Sequence, residues 1–160
     1  ELAEKYLKEL KPNIAGWEAD FGKEMMTKNK AWLNMTWSGD AIWAIEEANA
    51  VGVDLDYVVP EEGSNIWYDG WVIPKYAKNP RAASYFINFM CRPDIAKMNF
   101  DYITYSIPNE EGRKLLDPEY RNNPIVFPDD KALENCETFK FLGDENDAIY
   151  NELWRQVKSK

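Results

Sequence analysis

An α/β architecture is the fold class the sequence predicts, and three observations predict it. Stretches with apolar residues at helical spacing take turns with short stretches in which apolar and polar residues alternate one by one. Clusters of Asn, Pro, Asp and Gly separate them, as chain reversals require. The 160 residues can bury a full-sized core, as one compact unit or two.

The first segment sets Leu2, Ala3, Tyr6, Leu7 and Leu10 on one helical face, and Pro12-Asn13 ends it. DFGKEMMTKN follows as a short helix capped by Asp20. Ala31, Leu33, Met35 and Trp37 alternate with Trp32, Asn34 and Thr36, the pattern of a strand. Ser38 to Asp40 breaks it, and Ile42, Ile45 and Ala48 then recur at helical spacing until Gly52 stops the run. A short strand in DLDYVVP, a turn in PEEGS and a strand-like NIWYDGWVIP come next. Asn79-Pro80 offers a helix cap and a proline at the first helical position, ahead of an apolar face of Ala83, Phe86, Ile87, Met90 and Cys91. A helix restarts after Pro93, YITYSIPN reads as irregular or strand-like, and NEEGRKLL offers a short helix capped by Asn109. Residues 117–130 read as loops, and the last helix begins near Asp144, with Ile149, Leu153 and Val157 at spacing four.

Charge and composition exclude several kinds of chemistry. With 28 acidic against 19 basic residues the formal charge is -9, which repels nucleic acid phosphates and anionic membranes, and Lys and Arg are scattered rather than gathered into a patch. A cationic ligand is the natural reverse. No apolar stretch reaches the ~20 residues that span a bilayer. The charged start ELAEKYLKELK is not a signal peptide and reads as the inside of an amphipathic helix, as in a piece of a longer chain. Without histidine, His-based triads, bases and metal sites are excluded. Cys91 and Cys136 are too few for a thiolate zinc site. Neither the dinucleotide fingerprint nor the P-loop occurs, and no cofactor is implied. Paired carboxylates leave a glycoside hydrolase as a less favoured alternative to a non-enzymatic binding protein.

Aromatic residues make 14% of the chain. Most of them read as core, but three placements point further. Trp37 stands at a strand end, Trp67 precedes Asp69 by two residues, and Tyr105 lies in a kinked segment before Pro108. Strand ends are where α/β folds place ligands. On an extended chain Trp67 and Asp69 point to one side, because side chains alternate with period two. A ring face attracts a cation and covers its methylenes while a carboxylate accepts its N–H bonds, so the pair suits an alkylammonium ion. Each ring contact contributes about 0.5 to 2 kcal/mol and the charged hydrogen bond about 1.5 to 3 kcal/mol, enough for micromolar affinity where the site is preorganised.

Longer stretches resemble a known family. MTWSGDA, VVPEEGSNIWYDGWVIPKYAKNPRAASYFINFMCRPDIAKMNF, YITYSIPN and LLDPEY, in this order, are similar to the C-terminal half of the spermidine/putrescine-binding proteins of ABC importers, the PotD family. The resemblance implies part of a two-lobed, type II periplasmic-binding-protein-like fold that closes on a polyamine and delivers it to membrane permease subunits. It also implies an extracytoplasmic location, in the periplasm or as a lipoprotein on a Gram-positive surface. By position, Trp37 and Trp67 resemble aromatics flanking the aliphatic chain, Asp69 a carboxylate gripping an ammonium group, and Tyr105 a tyrosine lining the site. Asp40 stands where the family usually has an uncharged residue, either approaching the cleft or, the favoured reading, serving the helix N-terminus.

The resemblance further implies second-lobe segments at 1–66 and 113–160, a hinge crossing at 67–73, a first-lobe segment at 74–104 and a return crossing at 105–112. Cys91 and Cys136 then fall in different lobes, as free thiols. Residues of the opposite cleft wall are absent from the 160, so weak ligand binding and self-association of this isolated chain are expected. A receptor for a sugar alcohol, another amine, or ferric ion held by Tyr102 and Tyr105 is the alternative within the same class.

Overall fold

The computed structural model describes residues 2–18 and 20–159; the end residues of the two second-lobe spans, 1 and 160, lie outside it. The amphipathic start forms α1 (Leu2–Leu10), followed by a 3-10 turn (Lys11–Asn13) in which Pro12 forbids further α-helix. Helix α1 packs against the last helix, α9 (Asp144–Lys158). Trp17 meets Trp154 edge-on at 4.9 Å, and Lys11 Nζ donates to the Ser159 carbonyl. Val157, at the spacing predicted for that helix, is 1% exposed.

Helix α2 (Gly22–Thr27) has Phe21 at its N-cap, so Asp20 lies one residue outside the cap expected of it. Helix α3 (Ser38–Ala50) packs against α2. It buries Ala41, Ile42, Ala44 and Ala48 and stops at Gly52, whose positive φ of 77° suits a residue without a side chain. Here the sequence reading needs correction. Ser38 to Asp40 is not a break but the first turn of α3, with Trp37 at the N-cap in extended conformation.

Helix α4 (Pro80–Met90) starts at the predicted cap, although the Asn79 side chain makes no capping bond. Its apolar face is covered only in part: Ala83, Ile87 and Met90 are half-buried, whereas Phe86 is 48% exposed and meets Trp71 edge-on at 5.2 Å. Helix α5 (Pro93–Ile103) follows, and Thr104, in the left-handed region at φ 57°, turns the chain out of it. Helix α6 (Glu110–Lys114) is capped as predicted: Asn109 Oδ1 accepts from Gly112 N at 2.8 Å. The same side chain donates through Nδ2 to the Cys91 carbonyl at 2.7 Å, fastening the end of α4 to the start of α6. Inside the stretch read as loops lies α7 (Pro118–Arg121), and beyond it α8 (Asp130–Leu133), capped by Asp129.

Ile42, Phe100, Leu116 and Val126 form the buried core, with Ile107, Tyr120, Ile125 and Phe127 packed around them. Phe100 and Tyr120 meet edge-on at 5.4 Å, and the Arg113 guanidinium lies 4.0 Å from the centre of the Phe127 ring. This core joins the start of α3 to the end of α5, so segments far apart in sequence are fixed relative to each other beside Trp37 and Tyr105.

The sheet expected of an α/β chain does not form among the described residues. The segments at 33–37, 54–60, 65–74 and 105–107 form no ladder, and the bridge found between described segments is parallel, Asn65 with Glu137. Period two survives in the burial of residues 53–60, which alternates between half-buried and exposed. At 31–37 the expected inner face is bare: Leu33 is 91% and Met35 96% exposed. The reason is physical. A helix closes its hydrogen bonds within one segment, whereas a strand exists only through a neighbour alongside, and alternation records faces rather than partners. Where 61–66 does meet 135–137, Gly63 (φ 106°) permits the approach, since a Cβ there would lie 2.0 Å from the Asn135 carbonyl oxygen.

Candidate functional site

Three elements converge on one aromatic cluster. Trp37 projects from the extended residue just before α3. Trp67 follows the bridge, where Ile66 N donates to the Glu137 carbonyl and Glu137 N to that of Ser64, both at 2.9 Å. Tyr105 follows the left-handed Thr104, whose Oγ1 donates to the Gly39 carbonyl at 3.1 Å and so ties the end of α5 to the first turn of α3.

The rings meet edge to face. Trp37 and Trp67 lie 4.9 Å apart at 67°, and Trp67 and Tyr105 lie 6.1 Å apart at 75°. Trp67 Nε1 donates a long hydrogen bond, 3.4 Å, to Asp69 Oδ2, so the ring and the carboxylate share one side of the extended segment, as period two demands. Trp67 and Tyr105 are half-buried, Trp37 is 38% exposed, and Asp69 is exposed. The result is an open wall of indole and phenol with an ionisable oxygen pair at its edge. Two shallow hollows elsewhere, one at the start of α4 and one beside α2, share no residue with this wall. Its chemistry rather than its depth marks it as the candidate site.

Tyr105 reports the electrostatics. Burial first, then the carboxylates of Asp40, Asp69 and Asp20, push its phenol up to about 12, against a backbone hydrogen bond at Asp40 that favours the phenolate. The hydroxyl therefore stays protonated at neutral pH and presents an uncharged donor. Asp40 is in the first turn of α3 and also pairs with Lys23, Nζ to Oδ1 at 2.6 Å, while the same ammonium lies 5.2 Å from the Trp43 ring centre. Tyr102, paired with Tyr105 in the iron alternative, is 90% exposed on α5. Among the described residues no group of His, Cys, Asp and Glu could hold a metal ion. Cys91 and Cys136 are both free.

The structure thus brings Trp37, Trp67, Asp69 and Tyr105 together and sets Asp40 beside them, paired. Asp20, Lys23 and Gly39 were not singled out as site neighbours. Asp20 was read only as a helix cap, and Lys23 only as part of the helix behind it. Gly39 sits in the quoted WSGDA, but its need to lack a side chain depends on a ring delivered by a distant segment. A Cβ at Gly39 would lie 2.4 Å from Tyr105 Cδ2 and Cε2. Gly39→Ala is therefore expected to cost about 1 to 3 kcal/mol by overpacking, read as a lower unfolding midpoint. An unchanged midpoint would show that the ring yields freely.

Known proteins resemble this chain over nearly its whole length. The family described as bacterial extracellular solute-binding protein matches residues 1–128. The spermidine/putrescine-binding periplasmic proteins of Salmonella typhimurium and Escherichia coli are each 36% identical over 159 residues, 99% of this chain and 44% of theirs. Among solved structures, the spermidine/putrescine ABC transporter substrate-binding protein PotD from Streptococcus pneumoniae, in complex with calcium and HEPES, is 35% identical with a TM-score of 0.81, over 97% of this chain and 47% of that one. A putative spermidine/putrescine ABC transporter from Listeria monocytogenes is 36% identical with a TM-score of 0.84, over 98% of this chain and 47% of its own. The chain spans less than half the length of these relatives, and its fold is that of the corresponding part of PotD-type binding proteins. It belongs to the bacterial extracellular solute-binding protein family.

Proposed function

We propose that the whole protein binds polyamines outside the cytoplasm and delivers them to the permease subunits of an ABC importer, and that this chain supplies one wall of the binding cleft. The observation that carries the reading is the Trp67–Asp69 pair, ring N–H to carboxylate, flanked edge-on by Trp37 and Tyr105. An ammonium group lodges against Asp69 while the methylenes lie along the rings, and Tyr105, neutral, adds a hydroxyl without adding charge. The names of the relatives point to the same ligand class and to binding rather than turnover.

In this reading residues 1–66 and 113–160 belong to one lobe, 74–104 to the other, and 67–73 and 105–112 cross between them. Phe100 shares a core with Ile42, Leu116 and Val126, and in this reading α5 lies at the junction of the lobes. Trp67, Asp69 and Tyr105 then lie at the crossings with Trp37 packed against Trp67, where closure brings the opposite wall over them.

Calorimetric titration of the whole protein with putrescine, spermidine and sorbitol tests the proposal. Binding of the amines without binding of the sugar alcohol supports it, and silence from both amines sinks it. The chain in isolation is a different case. With one wall absent it is expected to bind weakly, and with Trp32, Leu33 and Met35 each more than nine-tenths exposed it is expected to self-associate. Sedimentation as a monomer across a wide concentration range would contradict the second expectation.

A further inference from the structure

We propose that Thr104 is a positioning residue for Tyr105: its hydroxyl, bonded to the Gly39 carbonyl, holds the left-handed turn from which the tyrosine ring reaches the wall. The proposal rests on the polyamine reading above and adds to it a residue that acts through the backbone.

The turn is an unusual place for this side chain. Thr104 N closes α5 by donating to the Phe100 carbonyl at 2.7 Å, and the residue then takes φ 57° and ψ 12°. Glycine or asparagine normally fills such a helix end, because a branched Cβ crowds its own backbone there. Among the described residues Asn29 is the other non-glycine residue with positive φ, and asparagine tolerates that region. Threonine has no such tolerance. Backbone strain of this kind persists only where surrounding contacts hold it, and it gathers at ligand sites.

The contacts that hold it reach α3. Thr104 Oγ1 carries one O–H and lies 2.8 Å from the carbonyl oxygen of Ile103 and 3.1 Å from that of Gly39. The first contact is local to the turn, whereas the second crosses 65 residues. Gly39 also receives the next residue, since a Cβ there would lie 2.4 Å from Tyr105 Cδ2 and Cε2. One glycine thus accepts the Thr104 hydroxyl on its carbonyl and the Tyr105 ring against its α-carbon. The core at Phe100 and Ile42 sets α5 against α3, but it lies a turn earlier and leaves the torsions after Ile103 undetermined. An extended Thr104, the usual choice of a branched residue, would swing Tyr105 off Gly39 and away from Trp67, whose ring centre is 6.1 Å distant.

The whole protein is titrated with putrescine as wild type, Thr104→Val, Thr104→Ser and Thr104→Gly. Thr104→Val keeps the branched shape and loses the bond, and is expected to weaken binding about threefold to tenfold, the scale of one hydrogen bond. Thr104→Ser keeps the hydroxyl and Thr104→Gly removes the need for it, so both are expected to stay within about twofold of wild type. Beside Tyr105→Leu, the Thr104→Val change is expected to weaken binding by less than about twofold more. The α-protons of Gly39, followed by NMR without ligand, report the ring itself: shifted upfield in wild type, Thr104→Ser and Thr104→Gly, and returned toward their ordinary position in Thr104→Val.

Thr104→Val with wild-type affinity overturns the proposal. So does Thr104→Ser or Thr104→Gly as weak as Thr104→Val, or a Thr104→Val loss that persists in full beside Tyr105→Leu. If Thr104→Val fails to fold, Thr104→Ala, also without a hydroxyl, takes its place. Wild-type protein that binds neither putrescine nor spermidine sinks the polyamine reading, and the Gly39 resonances then decide the turn by themselves.

Discussion

Asp69→Asn in the whole protein is expected to weaken putrescine binding by about tenfold to a hundredfold, the worth of a hydrogen bond to a charged group. The isosteric amide keeps the shape of the side chain and an oxygen for Trp67 Nε1, 3.4 Å away in the present arrangement, so the loss reports charge rather than collapse. Trp67→Leu removes a ring contact worth about 0.5 to 2 kcal/mol and also the N–H that orients the carboxylate. The two substitutions together are therefore expected to cost less than their sum, because residues joined by a hydrogen bond share one interaction. Calorimetry on the four proteins measures the coupling. Affinities unaltered by either change would remove these residues from the site.

Phe100→Ala is expected to lower stability by about 3 to 5 kcal/mol, the usual range for emptying a buried aromatic position. Phe100 is 1% exposed and lies among Ile42, Leu116 and Val126, so the cavity opens at the point where α3, α5 and the turn after α7 meet. Phe139, 80% exposed, provides the contrast, with Phe139→Ala expected to stay within about 0.5 kcal/mol. Urea unfolding of the whole protein distinguishes them. A loss below about 1 kcal/mol at Phe100 would mean that the core is not where the packing places it. Because Thr104 and Tyr105 follow directly on the helix that Phe100 anchors, ligand affinity is expected to fall in the same variant.

The helices were largely legible. Asn79-Pro80, Asn109 and Asp144 each open a helix where the sequence places one, and Gly52 ends one where expected. Such signals are local, since a cap or a proline acts on backbone groups three or four residues away. The shared side of Trp67 and Asp69 was legible for the same reason, as a consequence of backbone alternation across two residues.

The sheet, the first turn of α3 and the neighbours of the site were not. Strand-like patterns at 31–37 and 54–60 describe faces, and nothing in them names the segment that must lie alongside. Ser38 to Asp40 looked like a break because Ser, Gly and Asp favour turns, yet the same residues start helices when the chain behind them has a core to join. Lys23 found Asp40, and Tyr105 found Gly39, across spans over which the chain folds back on itself.

By itself the sequence determined the chemical repertoire of this protein: aromatic faces, carboxylates, no histidine, and a set of helices fixed by interactions within a few residues. Tertiary structure alone decided that Trp37, Trp67 and Tyr105 meet, that Asp40 is occupied by a neighbouring lysine, and that the strand-like segments form no sheet among the described residues. The division follows from range. Helical hydrogen bonds and side-chain alternation are properties of adjacent residues, whereas ring contacts, ion pairs and strand pairing depend on which distant segments the core draws together.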